Sequence, residues 1–204
     1  MKIVFIGDSI TDANHNYSDD HLGEGYVKII ADRLYKTNQE AKIVNKGHDG
    51  FTVFSLWKFL DYDCISKEPD IVSILIGCND VSIKINTGKT LEEQGFREYY
   101  EKILKKIRQK TDAKIICLGP FIFPHPLEFA NWISEIKKAE VMVRMAAEKY
   151  DAVFLPLHDM LNDAVEAGDY DKITTDGTHL TVEGAQIIAE KWLATTANWL
   201  DKKS

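Results

Sequence analysis

The sequence predicts an α/β fold, a three-layer α/β/α sandwich around a five-stranded parallel sheet, and three observations predict it. Short β-branched-rich runs alternate with longer helical patterns along the whole chain; the runs are largely continuous and not alternating in polarity; and no Gly/Ser/Pro-rich linker interrupts them. A run apolar at successive positions suits a strand covered on both faces, and strands separated by helical crossovers must be parallel. At 204 residues with 45% hydrophobic and 28% charged side chains, the chain fits one well-filled domain spanning 1–204 and lies far from the composition of disordered proteins.

The first strand is read at Lys2 to Ile6, followed by a helix over Leu22 to Tyr35. Ala41 to Asn45 gives the second strand and Val53 to about Ser66 its helix. Asp70 to Ile76 is the third strand, with a helix from Leu91 to Lys110 whose Phe96, Tyr100, Ile103, Leu104 and Ile107 form the buried side. On its wet side Glu98 with Lys102, and Glu101 with Lys105, are spaced as i,i+4 ion pairs. Ala113 to Leu118 is the fourth strand. The helix from Asn131 to Tyr150 carries Trp132, Ile136, Ala139, Val143, Ala146 and Tyr150 on one stripe, and Ala152 to Leu155 is the fifth strand. The last helix, Val182 to Leu200, is expected to take Thr181 as its N-cap with Glu183 in its first turn.

Charge and composition exclude several classes of function. With 25 Lys+Arg against 32 Asp+Glu, the net charge is -7, and no cationic surplus serves a phosphate backbone, so nucleic acid is not an expected partner. No apolar run reaches the roughly 18 to 20 residues that cross a bilayer. The opening Met1 to Ile6 stops at Gly7-Asp8, short of an export signal, so the expected location is cytoplasmic. Cys64, Cys78 and Cys117 form no C-x-x-C pair and are read as reduced packing residues. His15, His21, His48, His125 and His158 fall at no metal-ligand spacing, and no Gly-rich nucleotide motif occurs, so neither a metal nor a cofactor is expected. A homo-oligomer is left open.

In an open parallel sheet, ligands bind beyond the carboxyl ends of the strands. Just past those ends stand Gly7-Asp8-Ser9-Ile10-Thr11, Lys46-Gly47-His48-Asp49-Gly50, Gly77-Cys78-Asn79-Asp80 and Gly119-Pro120. Singly, each has an ordinary explanation as a cap or turn, Ser9 included. Together with Asp176-Gly177-Thr178-His179, they supply an acyl-transfer site. Ser9 is the candidate nucleophile, His179 its base, and Asp176 the carboxylate that orients the imidazole. The backbone N–H groups of Ser9 and Gly50 and the amide of Asn79 are the candidate oxyanion donors. Glycine at 50 admits substrate without a Cβ in the way, and Asn offers an N–H without adding negative charge.

These blocks, with Asn45-x-Gly47-x-x-Gly50 and Gly77-x-Asn79-Asp80, resemble the signature blocks of the GDSL or SGNH hydrolases from residue 7 to residue 179. The resemblance implies a flavodoxin-like sandwich and the same roles for Ser9, Gly50, Asn79, Asp176 and His179. Leu22-Gly23-Glu24-Gly25-Tyr26-Val27 and Asn45-Lys46-Gly47 further resemble bacterial carbohydrate acetylesterases similar to acetylxylan esterases. His48 and Asp49 occupy variable positions of their block. The expected activity is hydrolysis of short acyl esters of a small-molecule or carbohydrate alcohol; a thioesterase or lysophospholipase with a longer acyl pocket, and a non-catalytic binding module, are the alternatives. Gly119 to Pro126 reads equally as an acyl-pocket wall or a rigid connector. Phe51, Phe54 and Trp57 sit beside Gly50 at a spacing more typical of core.

Overall fold

The computed structural model describes residues 1–37, 40–165 and 169–200. Five strands, β1 (Lys2–Gly7), β2 (Lys42–Gly47), β3 (Ile71–Leu75), β4 (Lys114–Leu118) and β5 (Val153–Leu155), pair in parallel in the order β2-β1-β3-β4-β5. The helices are α1 (Ser9–Asp12), α2 (Tyr26–Thr37), α3 (Val53–Asp63), α4 (Cys78–Thr87), α5 (Phe96–Lys110), α6 (Ile133–Lys149), α7 (His158–Asp163) and α8 (Val182–Leu200). No helix among the described residues is long and apolar enough to cross a membrane.

The continuous apolar runs arise because both sheet faces are covered. Val4, Ile6, Val72 and Ile74 pack with Leu56, Leu60, Phe96, Ile103, Ile136 and Val143 of α3, α5 and α6. Their strand neighbours Ile3, Phe5 and Ile71 point the other way, onto Val27 and Ile30 of α2 and Ile188 and Trp192 of α8. Ser73, in the middle of β3, is fully buried and accepts a hydrogen bond from Trp192 Nε1 at 3.1 Å, which ties α8 to the central strand.

Strand positions agree with the sequence reading to within two residues at each end, whereas some helix ends differ. Leu22 is buried, but its carbonyl accepts from Asn45 Nδ2 at 2.9 Å in a bend, so α2 starts only at Tyr26. Leu91 is buried within a separate turn whose Thr90 and Glu93 bond each other's backbone N–H, and α5 starts at Phe96. Ser66 lies in a 3-10 turn beyond the end of α3. The Glu98–Lys102 pair forms at 2.7 Å, but Glu101 bonds Arg97 and Lys149 rather than Lys105. Helices α1, α4 and α7 fall outside the helical patterns read from the sequence. In α4 only Asp80 and Val81 are buried, which leaves no apolar stripe to read.

The chain runs from β1 to the edge strand β2, then back across β1 to β3, so the carboxyl ends of β1 and β3 flank the point where strand order reverses. Asn45, 3% exposed on β2, fastens this rim. Its Nδ2 donates to the Thr11 carbonyl at 2.7 Å as well as to Leu22, and its Oδ1 accepts from Gly47 N at 2.9 Å. A Cβ on Gly47 would lie 2.1 Å from Asp12 N, so only glycine lets β2 approach α1 this closely. Asn45→Ala would strand buried carbonyls and an N–H, and is expected to lower unfolding free energy by about 2–4 kcal/mol. Urea denaturation of the two proteins checks this, and a loss well under 1 kcal/mol would contradict it.

Candidate active site

Beyond β1 the backbone turns at Asp8, whose carboxylate accepts the Ile10 N–H at 3.1 Å and caps α1. Asp8, not Ser9, is therefore the cap, and the Ser9 hydroxyl is left to meet His179 Nε2 at 3.0 Å. On the far side of the ring, His179 Nδ1 lies 2.6 Å from Asp176 Oδ2. Ser9, His179 and Asp176 are thus joined in series, the order required for a base to remove the serine proton while a carboxylate fixes the ring.

The turn that carries Asp176 and His179 is closed on itself. Asp176 Oδ1 accepts the backbone N–H groups of Thr178 and His179 and the Thr178 hydroxyl, all within 2.9 Å. Burial pushes the Asp176 carboxyl up, but the bonds from His179 and Thr178 outweigh it and hold the carboxyl down at about 2. It is therefore ionised throughout the neutral range and accepts the Nδ1 proton, which leaves the Nε2 lone pair facing Ser9. Thr174 Oγ1 donates to the His179 carbonyl at 2.6 Å, and Phe123 N donates to the Gly177 carbonyl at 2.9 Å. Thr181 Oγ1 accepts Gly184 N at 3.2 Å, the expected cap of α8, with Glu183 in the first turn.

Gly50, in the turn after β2, and Asn79, in α4 after β3, stand on either side of Ser9 in the strand order. Phe51 N donates to His48 O at 3.2 Å, which closes a turn with Gly50 at its third position, φ 71°. That left-handed conformation is what calls for glycine there; a Cβ would meet nothing within 4 Å. Neither Ser9 N nor Gly50 N has an acceptor among the described residues. Asn79 Nδ2 donates to Phe51 O at 2.9 Å, which uses one of its two N–H groups and leaves the other.

Two acidic residues that the sequence reading gave no role hold this turn. Asp12 Oδ2 accepts Asp49 N at 3.1 Å while its Oδ1 accepts His15 Nδ1 at 2.8 Å. Asp80, beneath it, accepts Val53 N at 3.1 Å. Burial pushes both Asp8 and Asp80 up to about 7, against the backbone bonds from Ile10 and Val53, and each is raised further by a neighbouring carboxylate. Only their position after a strand marked them in the sequence, since burial of an Asp is a tertiary property.

Ser9 and His179 stand in the wall of a cleft of about 550 Å³ that also takes in Asp12, Tyr17, Glu24 and Asp49; Gly50 and Asn79 do not line it. Gly119 to Pro126 does not line it either. Phe121, Ile122 and Phe123 are buried in the two cores, and through Phe123 the segment supports the turn of His179, as a connector does. Phe51 stacks on His48 at 4.3 Å, and Trp57 is partly buried against the core. Phe54 is exposed against Tyr99 instead of packing in the core. The three cysteines are free, and burial pushes the thiols of Cys64 and Cys117 up to about 12.

The model of the GDSL-like Lipase/Acylhydrolase family matches residues 5–187. An acetylxylan esterase of Geobacillus stearothermophilus is 29% identical over 202 residues, covering 94% of this chain and 92% of its own. A protein of Parabacteroides merdae ATCC 43184, there taken for a GDSL-like lipase, superposes with a TM-score of 0.88 at 28% identity, over 98% of this chain and 96% of that one. A tryptophan variant of Axe2, an acetyl xylan esterase from G. stearothermophilus, superposes at 0.83 and 27% identity, over 95% and 93%. Further Axe2 structures are catalytic mutants in which alanine replaces an aspartate, a histidine and a serine.

The buried acids predict a pH dependence of stability. Asp80 has a folded pKa raised from 3.8 to about 7, so the fold is favoured while it is protonated and loses that advantage as pH rises from about 4 through about 7. Unfolding free energy measured across that range is expected to decline more steeply for the wild type than for Asp80→Asn. Parallel curves would show that Asp80 does not titrate in this way.

Proposed function

The chain belongs to the GDSL-like lipase/acylhydrolase family and is a carboxylic ester hydrolase, and we propose that it is a serine esterase releasing short acyl groups, acetyl foremost, from a carbohydrate. The observation that carries this reading is the series Ser9, His179, Asp176, joined at 3.0 and 2.6 Å. In the mechanism this implies, Ser9 Oγ attacks the acyl carbon as His179 Nε2 takes its proton. The oxygen of the tetrahedral intermediate accepts hydrogen bonds from the N–H groups of Ser9 and Gly50 and the free N–H of Asn79. Collapse breaks the bond to the alcohol, which leaves with the proton held by His179, and an acyl group stays on Ser9. Water, deprotonated by His179, then attacks the acyl carbon, and a second collapse returns the carboxylic acid and the serine. Asp176 keeps the ring in place and offsets its charge in both halves.

The catalytic mutants of Axe2 alter a serine and an aspartate–histidine pair three positions apart, the residue types and spacing of Ser9, Asp176 and His179 here. The acetyl preference draws on the acetylxylan esterases among the relatives. Phe121, Ile122 and Phe123 are buried and do not line the cleft beside Ser9, which supports the short-chain reading over a thioesterase or lysophospholipase that would use this segment as an acyl wall.

A fluorophosphonate probe is expected to label the wild type and not Ser9→Ala, and p-nitrophenyl acetate to be turned over far faster than the decanoate. Absence of labelling would sink the serine mechanism, and equal rates would sink the short-chain preference. Asn79→Ala is expected to lower kcat about 10²- to 10³-fold with KM little changed. An unaltered kcat would remove Asn79 from the oxyanion site.

A further inference from the structure

The cleft beside Ser9 bears on the alcohol half of the substrate, and the inference rests on the esterase reading above. Asp12, Glu24 and Asp49 bring three carboxylates to its wall, and no Lys or Arg lines it. Glu24 and Asp49 are exposed, and neither carboxylate has an ion-pair or hydrogen-bond partner among the described residues. Lys28, four positions after Glu24, pairs with Asp20 and Asp32, and Lys46, three positions before Asp49, lines a separate cleft with Asp20 and His21 and not this one. On the other side of Ser9 stands Asp176, ionised and joined to His179, so acidic side chains flank the nucleophile on both sides. At the mouth, the ring of Tyr17 is 91% exposed and stacks on no other aromatic side chain among the described residues.

A negative wall of this kind accepts hydrogen bonds from hydroxyl groups and raises the free energy of any anion brought against it. We propose that the cleft receives an uncharged, hydroxyl-rich alcohol and rejects anionic ones, with Glu24 and Asp49 accepting from its hydroxyls and Tyr17 offering a flat apolar face to its ring. Alcohols bearing a carboxylate, phosphate or sulfate are poor leaving groups for this enzyme because they do not reach Ser9. Acyl carriers built on phosphate are excluded on the same ground.

The test is a pair of sugars that differ in charge alone, the acetylated methyl glycoside of glucuronic acid with its carboxylate free and the corresponding carboxamide, with acetate release measured at low and high salt. The expected result is a kcat/KM at least about tenfold higher for the carboxamide at low salt, a ratio that salt reduces. Glu24→Gln, a substitution at an exposed position, is expected to narrow the ratio several-fold by raising turnover of the glucuronate. Equal kcat/KM for the pair overturns the proposal, as does a ratio that Glu24→Gln leaves untouched. Turnover of p-nitrophenyl acetate with neither sugar hydrolysed overturns it too, whereas no turnover of p-nitrophenyl acetate strikes at the esterase reading itself.

Discussion

The hydrogen bond between Ser9 and His179 joins side chains 170 positions apart, and a bond of its kind contributes only about 1 kcal/mol to folding. It cannot bring the two ends together by itself; each must be placed by the fold around it. The Ser9 end is fixed by the Asp8 cap, by Asn45 holding the Thr11 carbonyl, and by the contact of Gly47 with Asp12. The His179 end is fixed by Thr174, by the carboxylate of Asp176, and by Phe123 holding Gly177. Between them lies the sheet, to which α8 is bound through Trp192 and Ser73. The geometry of the site is therefore a property of the strand ends, and the reacting side chains inherit it.

Holding the rim in place concentrates negative charge there. Asp8 and Asp80 are buried with raised pKa values, a cost to stability at neutral pH. Each answers a need that an apolar residue cannot meet, because the Ile10 and Val53 N–H groups that they accept lie at the starts of α1 and α3, where the helix supplies no partner. Asp12 does similar work between α1 and the turn of Gly50. Removing any of these acids relieves repulsion and at the same time strands an N–H, so the site is a compromise between charge and hydrogen-bond satisfaction.

The strands were legible because burial on both faces erases polar alternation, and the result is a run such as Ile71 to Leu75 that no exposed segment resembles. The blocks at the strand ends were legible because Ser, Asn, His and Asp there have few structural uses in common. What escaped was tertiary. Leu22 and Leu91 are as buried as helix residues, yet side-chain bonds to the backbone hold them in turns, and nothing in local periodicity separates the two cases. The roles of Asn45, Asp12 and Asp80 rest on partners 23 to 37 positions away. The expected Glu101–Lys105 pair lost to Arg97 and to Lys149 of a neighbouring helix.

The negative surroundings also bear on the proposed oxyanion. A developing negative charge on substrate would be repelled by Asp8, Asp49 and Asp176 if donors did not face it at contact distance. Coulomb energies fall with distance and are screened by intervening solvent, so N–H groups within about 3 Å outweigh carboxylates further off. A cationic side chain would serve the oxyanion equally well, but it would pair with Asp8, Asp12 or Asp80 and draw them from the Ile10, Asp49 and Val53 amides that they respectively hold. Backbone N–H groups and the amide of Asn79 carry no net charge and leave the acids where they are. Neutral donors in this rim and a cleft suited to uncharged alcohols thus follow from the same carboxylates.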